Sequence, residues 1–559
     1  YNNGTFTMEG GSIEGNTALS KGGGVCNYYD STFTMNGGSI AGNTASSDGG
    51  GVYNSGTFTM EGGGLKDDIY RSDGTISING GYFGTEAKDS IGASWIPEGF
   101  GFITNDGSDA MYPAADFPHK LTEPYVSVTK DGNTEYIHDV AQFTELNTDG
   151  ATYKLLRNIE LTSGLAVPAD KTVTLDLNGF VLKGTGTGSV ITNNGMLGII
   201  DSKPSAEHKY TKGSDGLYTW DDANGIIVLA GGAITGGSGS FATNPTNPDY
   251  ATNLAGGGVL NNSGATLYLG NVNIVGNTAE IGGGVGNFGT FEMAKLDGMD
   301  EGGKIVGNTA ELGGGVCNCN TFVMTDGTID NNTVSFMYGG GVLNYIDSTF
   351  TMAGGTISNN TAPQNGGGVL NVSEFILTGG RIENNTAGSG GGGVANIIVD
   401  GVDTSPSFNM TGGIIADNIV NNNSVSNNGD DIIFYGAFTM EGGGIKGEIT
   451  SIDKGTITIS GGYFGTEAKD SIDASWIPES FGFITNDGSD AMYPAADFPH
   501  KIDMVYVLVT EADGSTKSIG REGLQTFNAL STDGATYKLL RNVELVSAPL
   551  TVPDTATVT

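Results

Sequence analysis

The sequence predicts an all-β fold built as a stacked solenoid, and three observations predict it. The phrase "GGGV" begins at Gly22, Gly49, Gly256, Gly282, Gly313, Gly339, Gly366 and Gly391, with adjacent copies in each group 25 to 31 residues apart. A period in that range belongs to stacked repeats. Within a copy, short segments of period-two alternation are divided by glycine or asparagine turns, and nothing repeats at helical spacing. Glycine supplies 95 of 559 residues with no three-residue period, which separates the chain from collagen.

The copy from Gly339 to Asn365 shows the elements in order: "GVLN", "STFTM" and "GTIS", three strands to a turn. Alternation in the second sends Phe350 and Met352 inward and Thr349 and Thr351 outward, while Val342 and Ile357 supply the other inward positions. About four apolar side chains, worth roughly 6 to 12 kcal/mol gross, cannot order 26 residues alone. Stacking is therefore obligatory, because each strand then pairs with its equivalents in neighbouring turns. It also places equal residues in ladders. Asn27, Asn54, Asn261, Asn287, Asn318, Asn344, Asn371 and Asn396 all fall two residues after the "GGGV" valine, and Asn43, Asn277, Asn308, Asn332, Asn360 and Asn385 form a second series at "GNTA" or "NNTA".

The composition narrows the function. Lys and Arg number 24 against 62 Asp and Glu, a formal charge of -38, so nucleic acid and anionic lipid are excluded as partners. No apolar run is long enough to span a membrane, and membrane insertion of this segment is not expected. The three cysteines, Cys26, Cys317 and Cys319, are too few for a disulfide framework, and their places in the repeat mark small apolar residues rather than a metal site. Both ends fall inside repeats, so further tandem units are expected to continue the chain.

A longer repeat overlies the short one. "GYFGTEAKDSIGASWIPEGFGFITNDGSDAMYPAADFPHK" (Gly81 to Lys120) recurs at Gly462 to Lys501 with two changes, Gly92 to Asp473 and Gly99 to Ser480, and "TDGATYKLLRN" recurs from Thr148 at Thr532. The unit is about 380 residues.

The "GGGV" and "ISNNTA" phrases resemble the right-handed parallel β-helix repeats of large bacterial surface proteins. They are similar to the repeats of polymorphic outer-membrane proteins and to adhesin-like surface proteins of Gram-positive gut bacteria. "YKLLRNIELTSGLAVPADKTVTLDLNGFVLKG" (Tyr153 to Gly184) resembles the opening of such helices, where a short strand and helix cover the first turn. The resemblance implies a right-handed, pectin-lyase-like solenoid in tandem units with small capping modules, located outside the cell. The expected divisions are 1–80 as last turns of one unit, 81–125 as an aromatic closing module, 126–200 as an opening cap, 201–461 as turns with a loop insertion at 201–225, 462–505 as the second closing module, and 506–559 as the start of a third unit. The insertion carries His208, Tyr218 and Trp220.

The expected function is a non-catalytic surface stalk or adhesin contacting glycans or cell-surface proteins; the alternative is a polysaccharide lyase or glycoside hydrolase on the same scaffold. An enzyme of that kind needs paired carboxylates facing one groove, or clustered acids beside a placed base. Between Gly256 and Asn428 the acids are scattered, basic residues are few (Lys295, Lys304, Arg381) and histidine is absent. Asp176 in "LDLNG", able to point outward beside Asn178, belongs to the opening segment and takes a structural role. Outward threonine pairs such as Thr349 and Thr351 reflect strand propensity rather than an ice-binding face.

No cofactor is expected; calcium is the one ion the acids suggest, at Asp106 and Asp109 and their copies Asp487 and Asp490, where Asx turns are the competing reading. Ligand contact is expected at Trp476, Tyr463 and Asp490, with Trp95, Tyr82 and Asp109 as their first copies, because aromatic faces beside carboxylates suit sugar rings. The competing reading buries the same aromatics as the cap that closes the open end of the core.

Overall fold

The computed structural model describes residues 1–239, 256–296, 298–398, 405–421, 429–452, 455–520, 530, 532–540 and 551. Segments 521–529, 541–550 and 552–559 of the expected third unit lie outside the described residues. The chain divides into two compact units: Tyr1–Phe143 with Ala151–Arg157, and Thr144–Gly150 with Asn158–Thr559. Each contains a parallel β-helix.

A turn has four strands, not three. In the turn beginning at Gly339 they are Val342–Asn344, Thr349–Met352, Thr356–Ser358 and the two-residue Thr361–Ala362. Alternation over two residues is too short to be recognised in the sequence, and the fourth strand is created by its neighbours: Thr361 pairs with Thr386 and Ala362 with Ala387. Between them, the valine–asparagine sheet of the second unit runs from Leu165–Val167 to Ile449–Ser451, and the isoleucine sheet begins at Ile159–Leu161.

The core is a set of columns. Phe291, Phe322, Phe350, Phe375 and Phe408 stack face to face with centroids 4.6 to 4.9 Å apart, each fully buried, a separation set by the strand spacing rather than by ring preference. In the first unit Phe6, Phe33 and Phe58 do the same. The glycine triplets are required by close approach: a Cβ on Gly341 would lie 2.6 Å from the Gly368 carbonyl oxygen, and one on Gly340 2.5 Å from that of Gly367. The residue before the second asparagine series is left-handed in every turn from Gly276 to Asp417, with φ between 54° and 64° at Gly276, Gly307, Asn331, Asn359, Asn384 and Asp417. That explains why only Gly, Asn or Asp stands there.

Both asparagine series are buried hydrogen-bonded ladders. In the first, Nδ2 of Asn193, Asn261, Asn287, Asn318, Asn344 and Asn371 each donates to Oδ1 of the next asparagine at 2.6 to 2.8 Å. In the second, the run Asn277, Asn308, Asn332, Asn360, Asn385 and Asn418 is linked the same way at 2.9 to 3.0 Å.

Two expectations are corrected. The insertion after Asp201 is not a loop: Glu207–Lys212 pairs antiparallel with Tyr218–Trp220 and Ile227–Ala230, and Tyr210 and Tyr218 pack on Val181, Val275 and Val306. Asp176 does not point outward. It is buried, and its Oδ1 accepts from the backbone N–H of Asn178 and Ser202. Before the first full turn, Val126–Lys130 and Asn133–Ile137 form an antiparallel hairpin, followed by the 3-10 turn Val140–Gln142.

Candidate functional site

The duplicated module follows the last parallel strand of the isoleucine sheet. In the second copy Gly462–Phe464 pairs parallel with Gly444–Ile445 on one side and antiparallel with His500–Thr510 on the other. A short helix, Thr466–Ser471, and the 3-10 turn Ala474–Trp476 then cross the end of the stack. In the first copy the equivalent long strand is split into His119–Thr122 and Val126–Lys130. Pro124 stands where the second copy has Val505, whose N–H donates to the Ser480 carbonyl at 3.0 Å, a bond proline cannot make.

The four predicted aromatic residues fall into two groups. Trp95, half-buried, packs with Ile91, Ile96, Phe100 and Phe102 on the end of the first core. Trp476 is placed likewise, edge-on to Phe434 at 6.4 Å. Phe434 takes the register position of Asn396 in the preceding turn, so the asparagine ladder stops there and leaves an apolar end. Tyr82 and Tyr463 lie on the flank instead, stacked on Tyr112 and Tyr493 at 4.6 and 4.4 Å, with Lys120 and Lys501 over their outer faces.

The acids are held in turns. Oδ1 of Asp109 and of Asp490 accepts from the N–H of Met111 and Met492, and Oδ1 of Asp106 and Asp487 from Ser108 and Ser489. The hydrogen bonds from Ser108 and Ser489 hold Asp106 and Asp487 below the usual carboxylate range. Asn105 and Asn486 tie the module together, each donating to two carbonyls, of Tyr112 and Phe117 or of Tyr493 and Phe498. Among the described residues no group of three His, Cys, Asp or Glu is arranged to hold a metal ion, and no described helix is long and apolar enough to cross a membrane. Cys317 Sγ lies 3.8 Å from Sγ of Cys319, just past the end of the strand Val316–Asn318, and the Cys319 hydrogen bond, together with burial, raises the Cys317 thiol well above its ordinary value.

A second place escaped the sequence reasoning. On the outer face of the first unit, Tyr1, Tyr28, Tyr29 and Tyr53 surround a cleft of about 560 Å³ with Lys21 and Cys26 at its floor and wall. Lys21 Nζ donates to Tyr53 Oη at 3.0 Å and lies 4.6 Å from the ring centroid; this bond lowers the Tyr53 hydroxyl below its ordinary value and raises the Lys21 ammonium. The signal was the residue between valine and asparagine, Cys26 and Tyr53, which the repeat pattern treats as variable.

No protein-family model, curated protein or solved structure matches the chain. The architecture and the two surfaces therefore carry the functional argument.

Proposed function

We propose that the chain is a non-catalytic, extracellular repeat protein, a stalk or adhesin of a bacterial surface whose stacked turns present contact surfaces to glycans or to proteins of other cells. One observation carries the reading: in the second unit the phenylalanine column from Phe291 to Phe438 and the asparagine column from Asn193 to Asn396 run from turn to turn without a break in register. Every turn is locked to its neighbours by backbone bonds, buried side-chain bonds and ring contacts, which resists bending and pulling. The acidic surface keeps such a body soluble and apart from anionic membranes.

The test is incubation of the purified chain with pectin, alginate and mucin glycans, with and without calcium. No release of unsaturated or reducing sugar is expected. Turnover that survives repurification and is lost on replacing one acidic residue would replace this reading with a polysaccharide-degrading enzyme.

A further inference from the structure

The outward ladder of the first unit reads Tyr1, Cys26, Tyr53, Tyr70. The Asn2↔Asn27 bridge sets Tyr1 beside Cys26, Cys26 pairs with Tyr53, and Tyr53 with Tyr70. Tyr53 and Tyr70 stack at 5.6 Å and 10°, closing that stretch of the face. Cys26 is the short member, and its side chain leaves a gap between two tyrosines. Tyr28 and Tyr29, exposed and edge-on to each other at 5.1 Å, wall the gap from the adjoining turn, and Tyr29 is anchored by its hydroxyl to Asp73 at 2.9 Å.

The second unit fills the same positions with small or aliphatic residues, Leu260 and Gly286 among them. Cys317, Leu343, Leu370, Ala395 and Ile433 occupy this outward column and are buried under Ile281, Leu312 and Tyr345. There the face is packed shut; in the first unit Tyr53 is buried against Tyr70 and Lys21, while Tyr28 and Tyr29 beside the gap stay exposed. Exposed tyrosines carry a cost in solubility that a packed face avoids, so their clustering around one gap marks a binding surface.

The polar groups define the ligand. Around the cleft stand tyrosine hydroxyls, Ser20, Ser55 and Ser72, and Lys21; the lining has no carboxylate, in a chain with 62 acidic residues. The hydroxyls can donate to or accept from any sugar, whereas the charged side chain of the lining, an ammonium with donor capacity beyond its bond to Tyr53, favours an anionic group. Aromatic faces match the C–H faces of a pyranose ring.

We infer that the cleft of Tyr28, Tyr29, Tyr53 and Lys21 binds a pyranose that carries a carboxylate, the ring against the exposed Tyr28 and Tyr29 and the carboxylate on Lys21, which Tyr53 holds in place. This deepens the adhesin reading by naming a ligand class. It rests on the cleft and not on the stack, so its failure would leave the non-catalytic stalk standing.

Calorimetry of the full chain with sialyllactose, digalacturonate and lactose tests it. At least one of the two carboxylated sugars binds, about tenfold or more tighter than lactose, and which one binds separates a sialic from a uronic source. Lys21→Gln, at an exposed position, weakens that binding by about tenfold. Cys26→Leu fills the gap with a side chain the same column accepts at Leu343 and Leu370, and abolishes binding while the melting temperature is unchanged. No binding of either carboxylated sugar at about 10 mM, equal binding of lactose, or full binding by the Cys26→Leu protein would each overturn the inference.

Discussion

Asn418 Nδ2 donates to Asp431 Oδ1 at 2.8 Å, and Asp431 stands where earlier turns carry the third glycine of the triplet. It ends the ladder that starts at Asn277, taking further bonds from the N–H of Asn418 and, at 2.5 Å, of Gly447. A ladder of amides passes a donor forward at every step, so its last donor needs an acceptor beyond it. The Asp431 carboxyl group supplies one, Oδ1 accepting twice from Asn418 and Oδ2 once from Gly447. The first unit solves the problem with a residue from the other side: Asn43 donates to Asp67, which sits at the position Gly447 fills in the second unit, while Gly51 sits at that of Asp431. A Cβ on Gly447 would lie 3.0 Å from the Asp431 carboxyl carbon, and one on Gly51 3.1 Å from Cβ of Asp67. One carboxylate and one glycine are required, in either order.

Asp431→Gly is therefore expected to cost about 3 kcal/mol, because three buried donors lose their acceptor. Asp431→Gly combined with Gly447→Asp should recover most of that loss. Chemical unfolding of the single and double variants measures it; a double variant no more stable than Asp431→Gly would refute the exchange.

Burial pushes the Asp431 carboxyl up to about 6, against the bonds from Asn418 and Gly447 that lower it, with Asp417 adding to the rise. Asp430 and Glu448 flank the site, and burial raises Glu448 as well. The folded state thus holds the Asp431 proton through a range where the unfolded chain, at an ordinary value near 3.8, has lost it. Its contribution is fully present below that value and declines as pH rises to about 6, by about 3 kcal/mol in all. The difference in unfolding free energy between the wild type and Asp431→Gly, followed from pH 4 to 7, should show this slope, and a flat difference would contradict it.

Within the ladder the same carboxylate should be harmful. Asn344 uses its full capacity: it donates to Asn371 Oδ1 at 2.7 Å and the Glu374 carbonyl at 2.8 Å, and accepts from Asn318 and Ser348 at 2.8 Å each. Asn344→Asp sets an acceptor against two acceptors and should cost about 3 to 5 kcal/mol, visible as a lowered melting temperature.

Trp476→Ala removes the half-buried ring that covers Phe434 at the end of the stack. A loss of about 2 to 3 kcal/mol is expected, together with faster amide exchange in Ile457–Ile459 and Ile449–Ser451. An unchanged melting temperature would mean that the tryptophan does not close the core.

Deleting residues Gly339 to Asn365 removes one whole turn and joins Tyr338 to Gly366, so every column continues in register. Deleting Gly339 to Met352 removes two of the four strands and leaves the remaining columns offset. The first protein should retain its circular dichroism and melt cooperatively, and the second should not; equal behaviour would contradict the stacked architecture.

The sequence by itself determined the repeat, the β class and the inward residues. Phenylalanine, methionine, isoleucine and asparagine recur at fixed places, and a parallel stack turns each recurrence into a column. It also showed the closing module, through the duplication, without deciding what its aromatics touch. Tertiary structure decided the rest. The two-residue fourth strand exists only because adjacent turns pair it. Asp431 and Asp67 share a task though they are not equivalent in sequence, since an acceptor can reach the end of a ladder from either turn. Trp476 and Tyr463, close in the chain, part to the end and the flank of the stack because the 3-10 turn at Ala474–Trp476 carries one over the core while strand register holds the other outward. The cleft around Cys26 arises from the one position the repeat leaves variable, where a missing side chain matters only once its neighbours are stacked beside it.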